Sequence, residues 1–186
     1  MRVIALTTLL LTLGTANADD LVVVGNPAAT ECYRATMLPN TAAAASLETC
    51  NIALNYRRTS RRDRAAILVN RGILYNHMGE YDAALADFEA ALDLFSNFPE
   101  AYINRGNAYF YKGRFDLAIA DYSRAIQGKS SKQHTAYYNR GLANESRKKP
   151  DEAFADFVRA NELKPDWVLA AGRVEKYRRQ GYQLSD

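Results

Sequence analysis

Only two imidazoles, His77 and His134, could act as histidine bases, and they fall in different parts of the chain. A catalytic base must lie within hydrogen-bond reach of the proton it takes. No G-x-S-x-G, H-E-x-x-H, P-loop or G-x-G-x-x-G motif accompanies either histidine. Three carboxylates recur regularly: Asp87, Asp121 and Asp156, each directly before an aromatic residue (Phe88, Tyr122, Phe157). Paired carboxylates could do acid–base work, but a carboxylate present once per period behaves as a structural element. Arg71, Arg105 and Arg140 recur in step with them. The expectation is therefore ion pairing that links the helices of one unit or of adjacent units. Exposed pairs of this kind contribute about 0–1 kcal/mol each. These residues imply no enzyme, no metal site and no cofactor.

The arginines belong to a tripeptide. Asn70-Arg71-Gly72, Asn104-Arg105-Gly106 and Asn139-Arg140-Gly141 stand at intervals of 34 and 35 residues. Around them the first copy continues Tyr75, Gly79, Tyr81-Asp82, Ala84, Asp87-Phe88, Ala91, and the second Tyr109, Gly113, Phe115-Asp116, Ala118, Asp121-Tyr122, Ala125. The third keeps Asp151, Ala153, Asp156-Phe157 and Ala160. A fixed period near 34 predicts stacked helical hairpins, each with an apolar face that it cannot bury alone. Mid-helix glycine costs about 1 kcal/mol against alanine, so Gly72, Gly106 and Gly141 must permit a close approach of a neighbouring helix. Ala84, Ala118 and Ala153 are the small partners. Phe88, Tyr122 and Phe157, one turn later on the same face, are expected to fill the space between units. Gly79 and Gly113 end the first helix of their pair.

This pattern resembles the tetratricopeptide repeat. The resemblance implies an all-α fold: a right-handed superhelical array of helical hairpins, or α-solenoid, with three clear repeats over residues 65–98, 99–133 and 134–167. Several positions depart from the family pattern. Leu68, Tyr102 and Tyr137 replace the usual tryptophan, and Arg71, Arg105 and Arg140 sit where leucine is common. The third unit has Lys148 in place of the turn glycine and Asn144 in place of the tyrosine, which predicts a looser turn. The exit loop of the second unit, Gln127–Thr135, carries one extra residue, and only the third unit keeps the closing proline, Pro165.

In this family the first helices line a concave face. The resemblance places Val69, Ile73, Asn76 and His77 there, with Glu100, Ile103, Asn107, Phe110 and Tyr111 from the second unit. Thr135, Tyr138, Leu142, Glu145 and Ser146 come from the third. Asn70, Asn104 and Asn139 fall beside this lining. Each amide donates and accepts at once, and the step between neighbouring helices, about 8–10 Å, is close to three residues of extended chain. Two readings follow: a ladder that binds a peptide backbone, or amides bonded to the neighbouring helix. Members that capture an acidic C-terminus use lysines and an arginine on this face. None stands at the first-helix positions here, so such capture is not expected.

The two ends differ from the repeats. After Pro165, Asp166 is expected to N-cap a helix to about Gln180, with Gly181 as its stop. Trp167, Ala170, Ala171, Val174 and Tyr177 form its apolar stripe. At the other end, Ser46, Cys50 and Ala53 echo the small–large–small spacing of a second helix, so residues 28–56 read as a degenerate hairpin turning near Pro39-Asn40-Thr41. That turn lies midway between the chain's two cysteines, Cys32 and Cys50, and sets both at a similar height. A bridge fits, worth about 3 kcal/mol; the alternative is two buried thiols. Residues 57–64, RRTSRRDR, hold five arginines in eight positions. Ser60 and Asp63 resemble a capping box. Arg57, Arg58, Arg61 and Arg62 read as a solvated loop, or as a contact for anionic lipid headgroups or an acidic partner.

Residues 1–18 read as a secretory signal peptide: Met1-Arg2, the apolar run Val3–Leu13, then Ala16-Asn17-Ala18 with cleavage before Asp19. The run is shorter than the ~20 residues that span a bilayer, although an uncleaved anchor is the alternative. Export, to the periplasm of a Gram-negative bacterium or to the outside, is compatible with a disulfide. A net charge of +3 over 186 residues gives no argument for nucleic acid. The expected organisation is a signal peptide (1–18), a tail with a degenerate hairpin (19–64), three repeats (65–167) and a capping helix with its tail (168–186). The expected function is non-enzymatic: a module that binds a partner's peptide segment in the concave groove, as a monomer or weak homo-oligomer. The alternative is a structural or self-associating subunit of an envelope assembly.

Overall fold

Alternating helix and tight turn, the arrangement that the period demands, runs through the computed structural model, which describes residues 26–37, 43–128 and 130–184. Nine helices and no strand occur among these residues. They are α1 (Pro27–Ala35), α2 (Ala43–Leu54), α3 (Arg61–His77), α4 (Tyr81–Leu94), α5 (Pro99–Tyr111), α6 (Phe115–Gln127), α7 (Gln133–Ser146), α8 (Pro150–Leu163) and α9 (Val168–Arg179). Four hairpins follow one another: α1 with α2, α3 with α4, α5 with α6, α7 with α8. The first helices α1, α3, α5 and α7 also pack on each other in succession. The array is the expected α-solenoid, with its first helices on the inner side. The signal-peptide segment, the tail to residue 25 and the Pro39-Asn40-Thr41 turn lie outside the described residues.

Local chemistry accounts for the helix ends. Ser60 caps α3: its Oγ accepts from the Asp63 amide at 3.1 Å and donates to Asp63 Oδ2 at 2.7 Å. Pro99 and Pro150 open α5 and α8, where their fixed φ suits the first turn. Gly79 and Gly113 adopt φ of 78° and 71°. Lys148 adopts 58° at the equivalent place, and the turn it makes is not looser. Its amide and that of Lys149 bond to Glu145 and Asn144 carbonyls at 2.9 Å, repeating the Gly79 and Gly113 pattern. The backbone needs the left-handed conformation there, and the third unit accepts a side chain in it.

The three mid-helix glycines have a more specific reason than helix–helix approach. A Cβ on Gly72 would lie 2.6 Å from Phe88 Cε1, one on Gly106 2.6 Å from Tyr122 Cε1, and one on Gly141 2.7 Å from Phe157 Cε1. The rings thus lie on the glycine of their own unit, rather than merely filling the space between units. All three rings and Ala84, Ala118 and Ala153 are fully buried. In the first hairpin Cys50 takes the ring position and is disulfide-bonded to Cys32, with Cα atoms 4.8 Å apart and both residues buried. A covalent bond replaces the ring-on-glycine contact.

At the C-terminal end α9 packs on α8. Tyr177 contacts the rings of Phe154 and Phe157, each with centroids 5.8 Å apart. Ala170, Val174 and Tyr177 are buried, while Trp167 and Ala171 are half-buried. Asp166 does not cap this helix. The N-cap residue is Trp167, without a side-chain cap bond; its ring packs on Tyr138 (4.7 Å) and His134 (5.3 Å). Aromatic packing has displaced the cap by one residue. Gly181, with φ of 90°, follows the helix end.

Candidate functional site: the inner face of the array

Each repeated arginine makes a two-pronged ion pair inside its own hairpin. Arg71 Nε and Nη2 donate to Asp87 at 2.8 and 2.7 Å, and Arg105 donates to Asp121 at 2.7 and 2.8 Å. Arg140 donates to Asp156 with a shortest distance of 2.7 Å. Arg71 also donates to Asn51 Oδ1 at 2.7 Å and Arg140 to Ser123 Oγ at 2.9 Å, each a residue of the preceding hairpin. Both partners follow the ring position directly. The equivalent residue in the first repeat, Glu89, raises the Arg105 pKa electrostatically, after the larger effect of the Asp121 hydrogen bond. The arginines therefore hold their own unit together and also grip the unit before. Burial pushes the Asp156 carboxyl up despite its bonds from Arg140 and Asn144. The carboxylates are engaged by the arginines of their own hairpins.

The asparagines are buried, with Asn70 and Asn104 at 1% exposure and Asn139 at 0%. Asn139 Nδ2 donates to Asn107 Oδ1 at 2.9 Å, and the same oxygen accepts from Tyr122 Oη at 2.9 Å. Asn104 Nδ2 donates to the Glu100 carbonyl in its own helix at 2.9 Å. Asn76 Nδ2 bridges units by donating to the Asn104 carbonyl at 3.1 Å. Bonding to a neighbouring helix, one of the two readings of the ladder, thus holds at Asn139. On α3 three buried atoms have no partner among the described residues: Asn70 Oδ1, Asn76 Oδ1 and His77 Nδ1. Burial lowers the His77 pKa, so this ring is neutral at pH 7 and one of its nitrogens is an acceptor.

The other inner-face candidates are mostly closed to solvent. Val69, Ile73, Ile103, Asn107, Phe110, Thr135, Tyr138 and Leu142 are all buried. Tyr111 is exposed, at 44%, with its ring stacked on Tyr81 at 5.4 Å. Glu145 is not left on a free lining: it accepts from Arg173, Lys176 and Tyr177 of α9 at 2.8, 3.2 and 3.0 Å. Ser146 is exposed and donates to the Leu142 carbonyl of its own helix. Helical periodicity alone cannot reveal this closing, because it gives the side of a helix and not what packs against that side. It likewise misses Asn144, whose amide supports Asp156, and the double acceptor role of Asn107.

Elsewhere, Arg57, Arg58, Arg61 and Arg62 are all exposed, without an ion pair among the described residues. Arg64 donates to the Leu54 carbonyl at 2.9 Å. No helix among the described residues is long and apolar enough to cross a membrane.

Comparison with known proteins agrees with this geometry. Tetratricopeptide repeat models match residues 65–98, 99–127 and 134–166. No curated protein matches the chain significantly. The first repeat domain of Spaghetti (RPAP3), solved with the HSP90 peptide SRMEEVD, is 28% identical, with a TM-score of 0.61 over 66% of this chain and 97% of that one. The first repeat domain of human RPAP3 is 30% identical, with a TM-score of 0.59 over 62% and 90%. MamA, 22% identical, shares the fold with a TM-score of 0.63 over 75% of this chain and 79% of its own. The matched repeats, their glycine-seated rings and their stacked hairpins have one origin: the chain belongs to the tetratricopeptide repeat family.

Proposed function

We propose that the chain is an exported, non-enzymatic interaction module that binds a peptide segment of a partner protein along its inner face, in the cell envelope. The observation that carries this reading is the row of unsatisfied acceptors on α3: Asn70 Oδ1, Asn76 Oδ1 and His77 Nδ1 are buried without a partner among the described residues. A buried acceptor left unpaired is destabilising by about 1–3 kcal/mol, and such groups in a folded protein ask for an explanation. A polypeptide backbone supplies N–H donors at regular intervals along an extended strand. The repeat domain of Spaghetti holds an HSP90 peptide, which supports a peptide as the class of ligand. The inner-face positions named here carry no lysine or arginine, so the proposed ligand is not an acidic C-terminus. Export rests on the apolar leader and the Ala16-Asn17-Ala18 sequence.

The test is selection of a random peptide display library on the folded chain, followed by affinity measurements on Asn70→Leu and Tyr111→Ala variants. Asn70→Leu removes the unpaired acceptor and keeps the branching of the side chain, so any loss of thermal stability is expected to stay within about 1–3 kcal/mol of overpacking while affinity falls about tenfold. Equal affinity for wild type and Asn70→Leu overturns the reading. N-terminal sequencing of the protein recovered from an envelope fraction is expected to begin at Asp19.

A further inference from the structure

The ends of α2, α4, α6 and α8 and the starts of α3, α5, α7 and α9 meet along one edge of the array. Ring contacts trace this edge: the Arg62 guanidinium lies 5.7 Å above the Phe95 ring, and His134 meets Trp167 at 5.3 Å. Of the ten exposed large apolar side chains among the described residues, six lie here: Ile52, Tyr56, Phe95, Leu163, Val168 and Leu169. The four on the opposite edge or beyond it are Met37, Tyr111, Leu117 and Leu184. Arg57, Arg58, Arg61 and Arg62 follow Ile52 and Tyr56 directly in the chain, and Arg62 lies over Phe95. Near the arginines the acidic neighbours are Asp63, occupied by Ser60, and the exposed Asp93 in the last turn of α4; farther along the edge stand Glu100, Glu162, which pairs with Arg159, and Asp166, so the basic character belongs to its α2–α4 end.

Helix physics does not account for this arrangement. Arg61, Arg62 and Arg64 stand beside Asp63 in the first turn of α3, the positive end of the helix dipole, where cations are disfavoured. Asp63 with Ser60 caps the helix and Arg64 bonds the Leu54 carbonyl, which leaves Arg61 and Arg62 as exposed cations that the helix itself does not call for. A local choice that opposes the fold marks a place where function selects the residues.

We propose that this edge is a peripheral docking surface for an anionic lipid bilayer, with Tyr56 and Phe95 at headgroup depth and the four arginines on the lipid phosphates. Single apolar side chains projecting between cations along one edge suit a continuous headgroup–acyl boundary, where aromatic rings are favoured. Contact is on the surface and does not span it, consistent with the lengths of the described helices.

The experiment is co-sedimentation of the full chain with phosphatidylglycerol-containing and phosphatidylcholine-only vesicles. It compares wild type with the variant Arg57→Gln, Arg58→Gln, Arg61→Gln, Arg62→Gln. Both proteins keep the apolar leader, so the difference between them reports the edge. Each arginine near an anionic surface is worth roughly fivefold in partitioning, so the four together are expected to be worth roughly several hundredfold on anionic vesicles. The variant with lysine at all four positions is expected to bind like wild type, and Tyr56→Ser with Phe95→Ser is expected to weaken binding with the charge intact. Circular dichroism checks that each variant is folded. Equal partitioning of wild type and the glutamine variant overturns the proposal. So does a difference between the two that is the same on neutral vesicles, or a preference for poly-glutamate over anionic vesicles, which would assign the edge to an acidic polypeptide.

Discussion

Tyr122 rests on Gly106 so closely that a methyl group in place of the glycine hydrogen would come within 2.6 Å of the ring. Both residues are buried, and the Tyr122 hydroxyl continues to Asn107 at 2.9 Å, which fixes the ring. Gly106→Ala is therefore expected to destabilise the protein by about 1–3 kcal/mol through overpacking, although alanine is the better helix former by about 1 kcal/mol. Denaturant melts of Gly106→Ala, Tyr122→Leu and the double variant check this. The double variant is expected to be more stable than the two single losses add up to; strict additivity would refute the contact.

Lys148 carries a side chain in a left-handed turn that its two counterparts fill with glycine. Lys148→Gly is expected to raise stability by about 1 kcal/mol, since a side chain in this conformation costs roughly 1–2 kcal/mol. The same change in reverse, Gly113→Lys, is expected to lower it. Thermal melts of both variants read the sign directly.

The Cys32–Cys50 bridge closes a loop of sequence separation 18 in the hairpin without a ring-on-glycine contact. Reduction, or the Cys32→Ser and Cys50→Ser double variant, is expected to remove about 3 kcal/mol from this hairpin in the chain-entropy treatment. Hydrogen exchange should show the loss confined to α1 and α2, with α5 to α8 still protected, as expected for an array stabilised by nearest neighbours.

Burial lowers the pKa of His77 and of His134, the latter helped by Lys164. The unfolded chain then binds more protons than the folded one between the usual value of 6.5 and the lowered values. Stability is thus expected to be full above pH 6.5 and to fall as the pH drops through that window. Melting temperatures measured across it should show the fall, and the His77→Gln, His134→Gln variant should flatten the curve. Asp156 acts in the opposite direction: with its carboxyl raised by burial, its contribution is present below the usual carboxylate value and is lost as pH rises through the raised one. Subtracting the variant curve from the wild-type curve isolates the histidines.

Much of this architecture is legible in the residues because repetition samples the same physics three times. Gly72, Gly106 and Gly141 announce a contact too close for a side chain, and Asp87, Asp121 and Asp156 announce the partners of the arginines. Periodicity is silent on what depends on several units meeting. The burial of Val69, Ile103 and Leu142 and the sharing of one Asn107 oxygen by Tyr122 and Asn139 follow from the approach of neighbouring helices. The shift of the α9 cap from Asp166 to Trp167 follows from ring packing on Tyr138, which no propensity encodes. Ile52 and Tyr56 stand one helical turn apart, but the exposed Phe95 joins their edge only through the packing of α4 beside α3.

Asn51 and Ser123, which directly follow the ring position of their helices, receive the arginine of the next hairpin. The same place in α8 holds Val158, and α9 offers Val174 where a fourth unit would carry its arginine; both belong to the apolar cluster at the C-terminal end. The socket and the plug are missing together. An apolar pair thus stands where the earlier junctions use a charged one, and a hairpin grafted after α8 with the repeat's arginine would leave that guanidinium facing Val158 unless a polar acceptor were placed there.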